Sequence, residues 1–402
     1  MKPSEKNQRP LSGYRILEMS SHFAGSLCGM LLADMGAEVI KVEPPEGGDP
    51  VRRQGAFFLE QESVPFLSAN RNKLSLTLDL QKEEGRAVFH RLLPTADVVI
   101  DGFRPGVMLE WQADYESCRK IRQDIIYLSL TPFGQTGPWA YRPGNDPLVQ
   151  ATSGLMALTG DSGGQPLLAG NQAADFSGSS VGAFAVLTAL FHRERSGQGQ
   201  KIDVALLDAL IYALVPREGE VLSTGKELER CGTAHPSFVP YQCFEAQDGK
   251  WLFLSCFTQK FWSNLCQVLG RPDLEKDPRF VNNPDRVKNR RELIPILEDL
   301  FRQKPMTEWI RLVQKADVPC GPLNDLEMAI ADPQVVQNQM VVEMDHPRAG
   351  KLRTMANPIH FMGTPVCYEL PPPALGQDSV KILQGLGYHP DQIRSFREAK
   401  VV

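Results

Sequence analysis

Short apolar runs alternate with helical stretches through the first part of this chain, and that alternation limits the fold more than any other feature. Arg15–Ser20, Glu38–Glu43, Leu74–Leu80, Asp97–Ile100 and Ile125–Leu130 read as strands, rich in Val, Ile and Leu and bounded by Gly, Pro or polar residues. Ala24–Met35 and Lys82–Leu93 between them read as helices, the first stopped by Gly36 just past its end. Strands separated by helices pair in parallel, through right-handed crossovers. The reading is an α/β fold with a doubly wound parallel sheet. Ligands of such sheets lie outside the carboxyl ends of the strands, which here are residues 20–25, 43–49, 101–106 and 131–134.

Past residue 138 the pattern loosens. Residues 138–175 are rich in Gly, Pro, Asp and Asn and read as active-site loops. Phe176–Arg193 reads as a tightly packed helix crowded with Gly, Ala and Ser, and Lys201–Val215 as one apolar segment. Tyr241–Ala246 and Lys250–Cys256 flank Gln247-Asp248-Gly249, a hairpin signal. Helices follow at 258–269, 290–303 and 306–315. Strand-like segments return at Val341–Met344 and Pro358–Phe361, with a helix near Asp378–Gly387. The expected organisation is a large domain at 1–224, a small α+β domain at 225–330 and a tail at 331–402 that returns to the large domain.

The 43 basic and 48 acidic residues give a net charge of −5, without the basic excess that nucleic-acid binding would require. No apolar run reads as a membrane span, and Met1–Pro10 reads as a short disordered arm. The eight cysteines are scattered, with no Cys-x-x-Cys pair, which points to a reducing cytoplasm. The seven histidines show no metal spacing, so no metal is expected. Ser21–Gly29 lacks the Gly-x-Gly-x-x-Gly of dinucleotide sites, and neither a Walker loop nor a Gly-x-Ser-x-Gly elbow occurs.

Arg52, Arg53, Arg71, Lys73 and Arg104 lie on loops or strand ends, where several could converge on phosphates. Asp175 reads first as a helix N-cap; the alternative is a carboxylate nucleophile among small residues that leave room for an acyl group. Asp146 reads as a turn former, and Asp208 as an acid needing a partner within an apolar run. His22, on a sheet-edge loop, and His235 are the two histidines placed as pocket residues.

Several segments, in order and spacing, resemble the type III CoA-transferases, the family of carnitine and bile-acid CoA-transferases. They include residues 35–45, Asn70–Lys73, Phe103-Arg-Pro-Gly106, residues 133–138, Arg142–Asp146, Asp175–Gly178, Ala234–Pro236, Asp277–Phe280 and Asn289–Arg290. The resemblance implies a Rossmann-like large domain built from both chain ends, a small domain between them, and two interlocked subunits. It places the catalytic aspartate on Asp175. Coenzyme A contacts fall on Phe23, Ala24, Asn70, Arg71, Asn72, Lys73, Gly102, Phe103, Arg104, Thr131, Pro132, Phe133 and Gly134, with His22 and His235 toward the substrate. The implied reaction moves CoA between an acyl-CoA, succinyl- or acetyl-CoA, and a small carboxylic acid. It proceeds by an aspartyl anhydride and an aspartyl-CoA thioester. The CoA thioester is a substrate, and no tightly bound cofactor is implied. The implied partners are acyl-CoA, the acid and a second copy of the chain, with no nucleic acid or membrane. Two departures stand out: Glu110 replaces a CoA-binding arginine, and Gly232–Pro236 replaces a glycine-rich loop. Related α-methylacyl-CoA racemases use a His/Asp pair, but the histidine position is Asn145 here. The alternatives are a racemase or epimerase of the same fold and a non-catalytic CoA-ester binding protein.

Overall fold

The computed structural model describes residues 9–402; the arm expected at Met1–Pro10 lies outside them except for its last two residues. The chain divides into two compact units. The first takes the chain up to Leu155, Leu168–Lys226 and Val336–Val402; the second takes Met156–Leu167 and Glu227–Val335.

The first unit is built on strands β1 (Arg15–Met19), β2 (Glu38–Glu43), β3 (Lys73–Thr77), β4 (Val98–Asp101), β5 (Ile126–Thr131) and β6 (Lys201–Ala205). They lie in the order β3-β2-β1-β4-β5-β6 and every pairing is parallel. The order reverses between β1 and β4, which opens a crevice at their carboxyl ends. Helices α1 (Ala24–Asp34), α2 (Glu83–Leu92), α3 (Asp146–Thr152) and α4 (Ala173–Ser196) supply the elements used below.

Both faces of the sheet are buried, so apolar residues point both ways along β1, β2, β4 and β5. Ile16, Val39, Ile100 and Leu128 join one core layer with Cys28 and Leu32 of α1 and Ala183 and Val186 of α4. Their neighbours Leu17, Ile40, Val99 and Tyr127 join the other with Val88 and Phe89 of α2. The chain's end closes this second layer, where Leu383 and Ile393 come from helices Ser379–Gly385 and Pro390–Glu398.

Three local readings need correction. The apolar segment Lys201–Val215 splits into β6 and a helix, Leu206–Tyr212; an apolar run buried on all sides gives no period to separate them. Pro358–Phe361 forms no strand. Val341–His346 pairs instead with Gly350–Met355, with Glu343 opposite Arg353. Helix α4 is long and apolar enough to cross a membrane by length and composition. Its Ala, Gly and Ser content hid that run in the sequence, and half of the apolar stretch is buried within the protein.

The second unit pairs Tyr241–Glu245 with Trp251–Ser255 and adds Cys320–Pro322, all antiparallel. Trp262, Leu293, Phe301 and Trp309 of its helices cover this sheet. Buried Arg286 has no carboxylate partner among the described residues; its guanidinium donates to the Val239 carbonyl at 2.7 Å and the Phe280 carbonyl at 3.1 Å.

A fully buried ionic cluster joins the first three strands. Glu18 of β1 accepts the Lys41 ammonium at 2.8 Å and meets that of Lys73 at 2.7 Å. Lys41 also pairs with Asp49 at 3.0 Å. Burial pushes the Glu18 carboxyl upward, but Lys41 and Lys73 outweigh it and hold it at about 2. Glu18 therefore adds stability above its ordinary value of 4.5, lost as pH falls toward 2. Glu18→Gln leaves the buried Lys73 ammonium without a carboxylate and Lys41 with Asp49 alone. It is expected to lower stability by about 3–5 kcal/mol, read as an earlier urea transition; an unchanged transition would contradict this role.

Candidate active site

Helix α4 runs antiparallel to β5. A Cβ on Gly178 would meet Leu130, and one on Gly182 would meet Leu128. The small residues thus let the helix lie close on the sheet, and its first turn falls beyond the carboxyl end of β5. Asp175 stands in that turn.

Asp175 is not the N-cap. The helix starts at Ala173, and the cap position, Gln172, contributes no side-chain bond. The cap comes instead from Asp146, which reads from sequence as a turn former but is buried at the start of α3. Its Oδ2 accepts the amides of Ala174 at 2.7 Å and Asp175 at 3.0 Å. Among the described residues the Asp175 carboxylate has no hydrogen-bond partner, although the residue is only 8% exposed. Burial, and next the charge of Asp146, push its carboxyl up to about 7.

The loop after β5 closes around the same place. Thr131 is buried and its hydroxyl is without a hydrogen-bond partner, as is the side-chain amide nitrogen of Gln135. Buried polar groups without partners are rare, and a bound ligand can satisfy them. Gln135 lies in the 133–138 family segment, but the sequence assigns it no site role. Pro132 and Phe133 abut Gly144, where a Cβ would come within 2.5 Å of Pro132. That contact sets Asn145 and Asp146 beside this loop. Gly134 has φ of 82°, a backbone that favours glycine. Asn145 caps α3 through its side chain. Asp208 is exposed and not partnered as its apolar setting suggested.

A second feature occupies the strand-order reversal, a cavity of about 280 Å³. It is lined by residues 19–21 after β1, by Glu43, Pro44 and 48–50 after β2, by 78–81 after β3, and by Phe103 and Trp111 after β4. Gly102 lets two of these loops meet, since a Cβ there would lie 2.9 Å from that of Ser20. Phe103 and Trp111 pack edge to face at 5.0 Å. Pro44 falls in the 43–49 strand end expected to face a ligand; Leu78, Gln81 and Trp111 were missed, because nothing in their local sequence sets them apart. His22 is exposed at the mouth of α1 with φ of 64°; its amide is held by Asp49 at 3.2 Å. Phe23 and Ala24 follow as the entry to α1.

Of the five cations from which several could converge on phosphates, the structure turns three inward. Arg52 pairs with Glu43 at 2.7 Å and Lys73 with Glu18. Arg71 forks onto Asp34 at 2.9 and 2.7 Å. Asn72 donates to Asp34 and to the Cys367 carbonyl, and Asn70 accepts from Lys73. The 70–73 side chains thus tie α1 to the C-terminal segment, with none left as a free cation. Arg53 and Arg104 are exposed and form no ion pair among the described residues. Glu110 is exposed one residue before Trp111. His235 belongs to the second unit, stacked on Tyr241 at 4.9 Å, with Nδ1 accepting the Ser237 amide.

Comparison with known proteins adds a family. The profile of CoA-transferase family III matches residues 11–379. A succinate–glutarate CoA-transferase of Agrobacterium fabrum is 38% identical, over 94% of this chain and 96% of that protein. A succinyl-CoA:glutarate CoA-transferase of Mus musculus is 36% identical, over 94% and 86%. The crystal structure of a CAIB/BAIF family protein from Brucella suis superposes with a TM-score of 0.84 at 36% identity, covering 94% of this chain and all of that one.

Asp175 bears on stability with a definite sign. Its carboxyl titrates near 7 when folded against an ordinary 3.8, so the folded state loses stability as pH rises between those values. Asp175→Asn removes that loss. The variant is expected to be more stable than the wild type at pH 8, by about 1–3 kcal/mol, in denaturant unfolding. Equal or lower stability at pH 8 would show that the site does not strain this carboxylate.

Proposed function

Because the chain belongs to CoA-transferase family III, and so is an enzyme with CoA-transferase activity, we propose that it moves coenzyme A from succinyl-CoA or acetyl-CoA to a small carboxylic acid, with Asp175 as the nucleophile. One observation carries the residue assignment: a buried carboxylate, unbonded and raised in pKa, beyond the carboxyl end of a parallel strand. Structural carboxylates are bonded, whereas nucleophiles must be free to move onto substrate.

The ionised Asp175 attacks the donor thioester carbonyl and expels CoA thiolate, leaving an acyl–aspartyl anhydride. The thiolate then attacks the aspartyl carbonyl and releases the donor acid, leaving an aspartyl-CoA thioester. The acceptor carboxylate attacks that carbonyl, forming a second anhydride and freeing the thiolate again. Attack of the thiolate on the acceptor's acyl carbonyl gives the new acyl-CoA and restores Asp175. The thioester's free energy passes along the covalent intermediates, so no nucleotide hydrolysis enters the balance. Each attack puts negative charge on a carbonyl oxygen, which a donor near Asp175 would stabilise. The Gln135 side-chain amide nitrogen and the backbone at Gly134 are the proposed donors.

The crevice between β1 and β4 is proposed to take the adenosine end of CoA, since doubly wound sheets bind nucleotides at this reversal. Arg53 and Arg104 are proposed for its phosphates, the two cations of the original five that remain unpaired. A second copy of the chain is the proposed partner; α4 exposes Phe176, Phe184 and Phe191, an apolar face that a subunit contact would cover. The free thiols support a reducing, cytoplasmic setting.

Three outcomes test the reading. Asp175→Asn and Asp175→Ala, purified and assayed against a donor–acceptor matrix by mass spectrometry of the CoA products, are expected to lose transfer by at least about 10³-fold; near wild-type turnover in either would remove the nucleophile assignment. Wild-type kcat/KM is expected to rise with pH through about 7, because the attacking form is the ionised one. Arg104→Ala is expected to raise KM for the acyl-CoA about tenfold with little change for the acceptor acid; an unchanged KM would move the phosphates elsewhere.

A further inference from the structure

The first turn of a helix presents unbonded amides and the positive end of the helix dipole. An aspartate there readily turns back on those amides, which holds it ionised and fixed. Asp175 does not, because the amides of Ala174 and of Asp175 itself are already taken by Asp146 Oδ2. Asp146 is 3% exposed and is itself held in place. Its Oδ1 accepts Gln150 Nε2 at 2.5 Å. Gln150 also donates to the Asn171 carbonyl and accepts the Ala169 amide, each at 3.0 Å, which ties down the loop leading into α4. Asp146 is the charged group that acts on Asp175. Packed along this part of α4, β5 and α1 bring apolar atoms from Leu128, Leu130 and Cys28, while β6 carries Lys201 and Asp203, both exposed, with Asp203 accepting the Gln135 backbone amide at 2.9 Å. The helix Leu206–Tyr212 packs Leu206 there and turns its one acid, Asp208, to solvent.

We propose that Asp146 is a positioning residue for CoA transfer, capping α4 in place of Asp175 and keeping the nucleophile unbonded beside a second negative charge. Its part in the reaction rests on the reading of Asp175 above; its electrostatic effect on Asp175 does not. Two consequences follow for the chemistry. A carboxylate beside a like charge is more basic and so a stronger nucleophile toward a thioester carbonyl. The anhydride and the aspartyl thioester carry no charge at position 175, so forming either relieves the repulsion. Asp146 therefore tilts the cycle toward its covalent intermediates.

Asp146→Asn removes the charge and keeps an acceptor for the helix amides; Asp146→Ser does the same with a smaller group should the first not fold. The Asp175 carboxyl is followed by ¹³C NMR titration, with the Asp175→Asn protein identifying its signal. The midpoint, about 7 in the wild type, is expected to fall by about one unit or more. The acidic limb of kcat/KM should move down with it, and the fraction of enzyme found as covalent adduct at saturating acyl-CoA should drop. Asp146→Glu, which retains the charge, should restore the midpoint. A lowered plateau with an unmoved Asp175 midpoint would overturn the proposal, because a purely structural residue would do that. If the midpoint moves but the wild-type protein transfers CoA between no pair of acids, the nucleophile reading falls and Asp146 has no place in a reaction.

Discussion

Glu18 lies between two ammonium groups that reach it from neighbouring strands, and much of the first unit's upper edge depends on that contact. Lys41 comes from β2 and Lys73 from β3, and both also bond to the start of α1, at the Ser26 hydroxyl and carbonyl. A buried charge without its partner is strongly destabilising, so the three strands and the helix hold one arrangement. Through Lys41 the cluster reaches Asp49, which fixes the His22 amide and with it the loop that follows β1. The crevice where the strand order reverses is thus tied to this ionic cluster through Asp49, which also lines it.

The same carboxylate chemistry serves two opposite ends in this molecule. Glu18 and Asp34 are buried and paired with cations, which holds them as fixed anions. Asp175 is nearly as buried and has none. The difference lies in who caps the helix: Asp146 takes the amides, and the acid one turn along is left with a low-dielectric setting and a like charge. Structural and reactive acids are told apart here by their donors, not by their burial.

What could be read beforehand follows from which signals are local. The parallel sheet was legible because strand–helix alternation is written in consecutive residues, and β1, β2, β4 and β5 fall within a residue or two of their expected bounds. The strand β6 was hidden in an apolar run buried on every side. Asp175 was visible as an acid opening a helix of small residues, but not its bonding, because its cap comes from a residue nearly thirty positions earlier in the chain. The five cations read alike in sequence. Only their acids separate Arg52, Arg71 and Lys73 from Arg53 and Arg104: Glu43 from the strand just before Arg52, and Asp34 and Glu18 from more distant segments brought in by the fold. Trp111 carries no motif, and Gln135, though inside the 133–138 family segment, becomes a site residue only through the loop that buries its side chain.

The covalent step at position 175 is tested most directly by incubating the protein with acyl-CoA and no acceptor, quenching with hydroxylamine, and mapping the modified peptide by mass spectrometry. An activated aspartyl carbonyl reacts with hydroxylamine and a free carboxylate does not. The account predicts a hydroxamate on Asp175 that forms only when acyl-CoA is present. A hydroxamate on another residue, or none while CoA is being transferred at full rate, would contradict it.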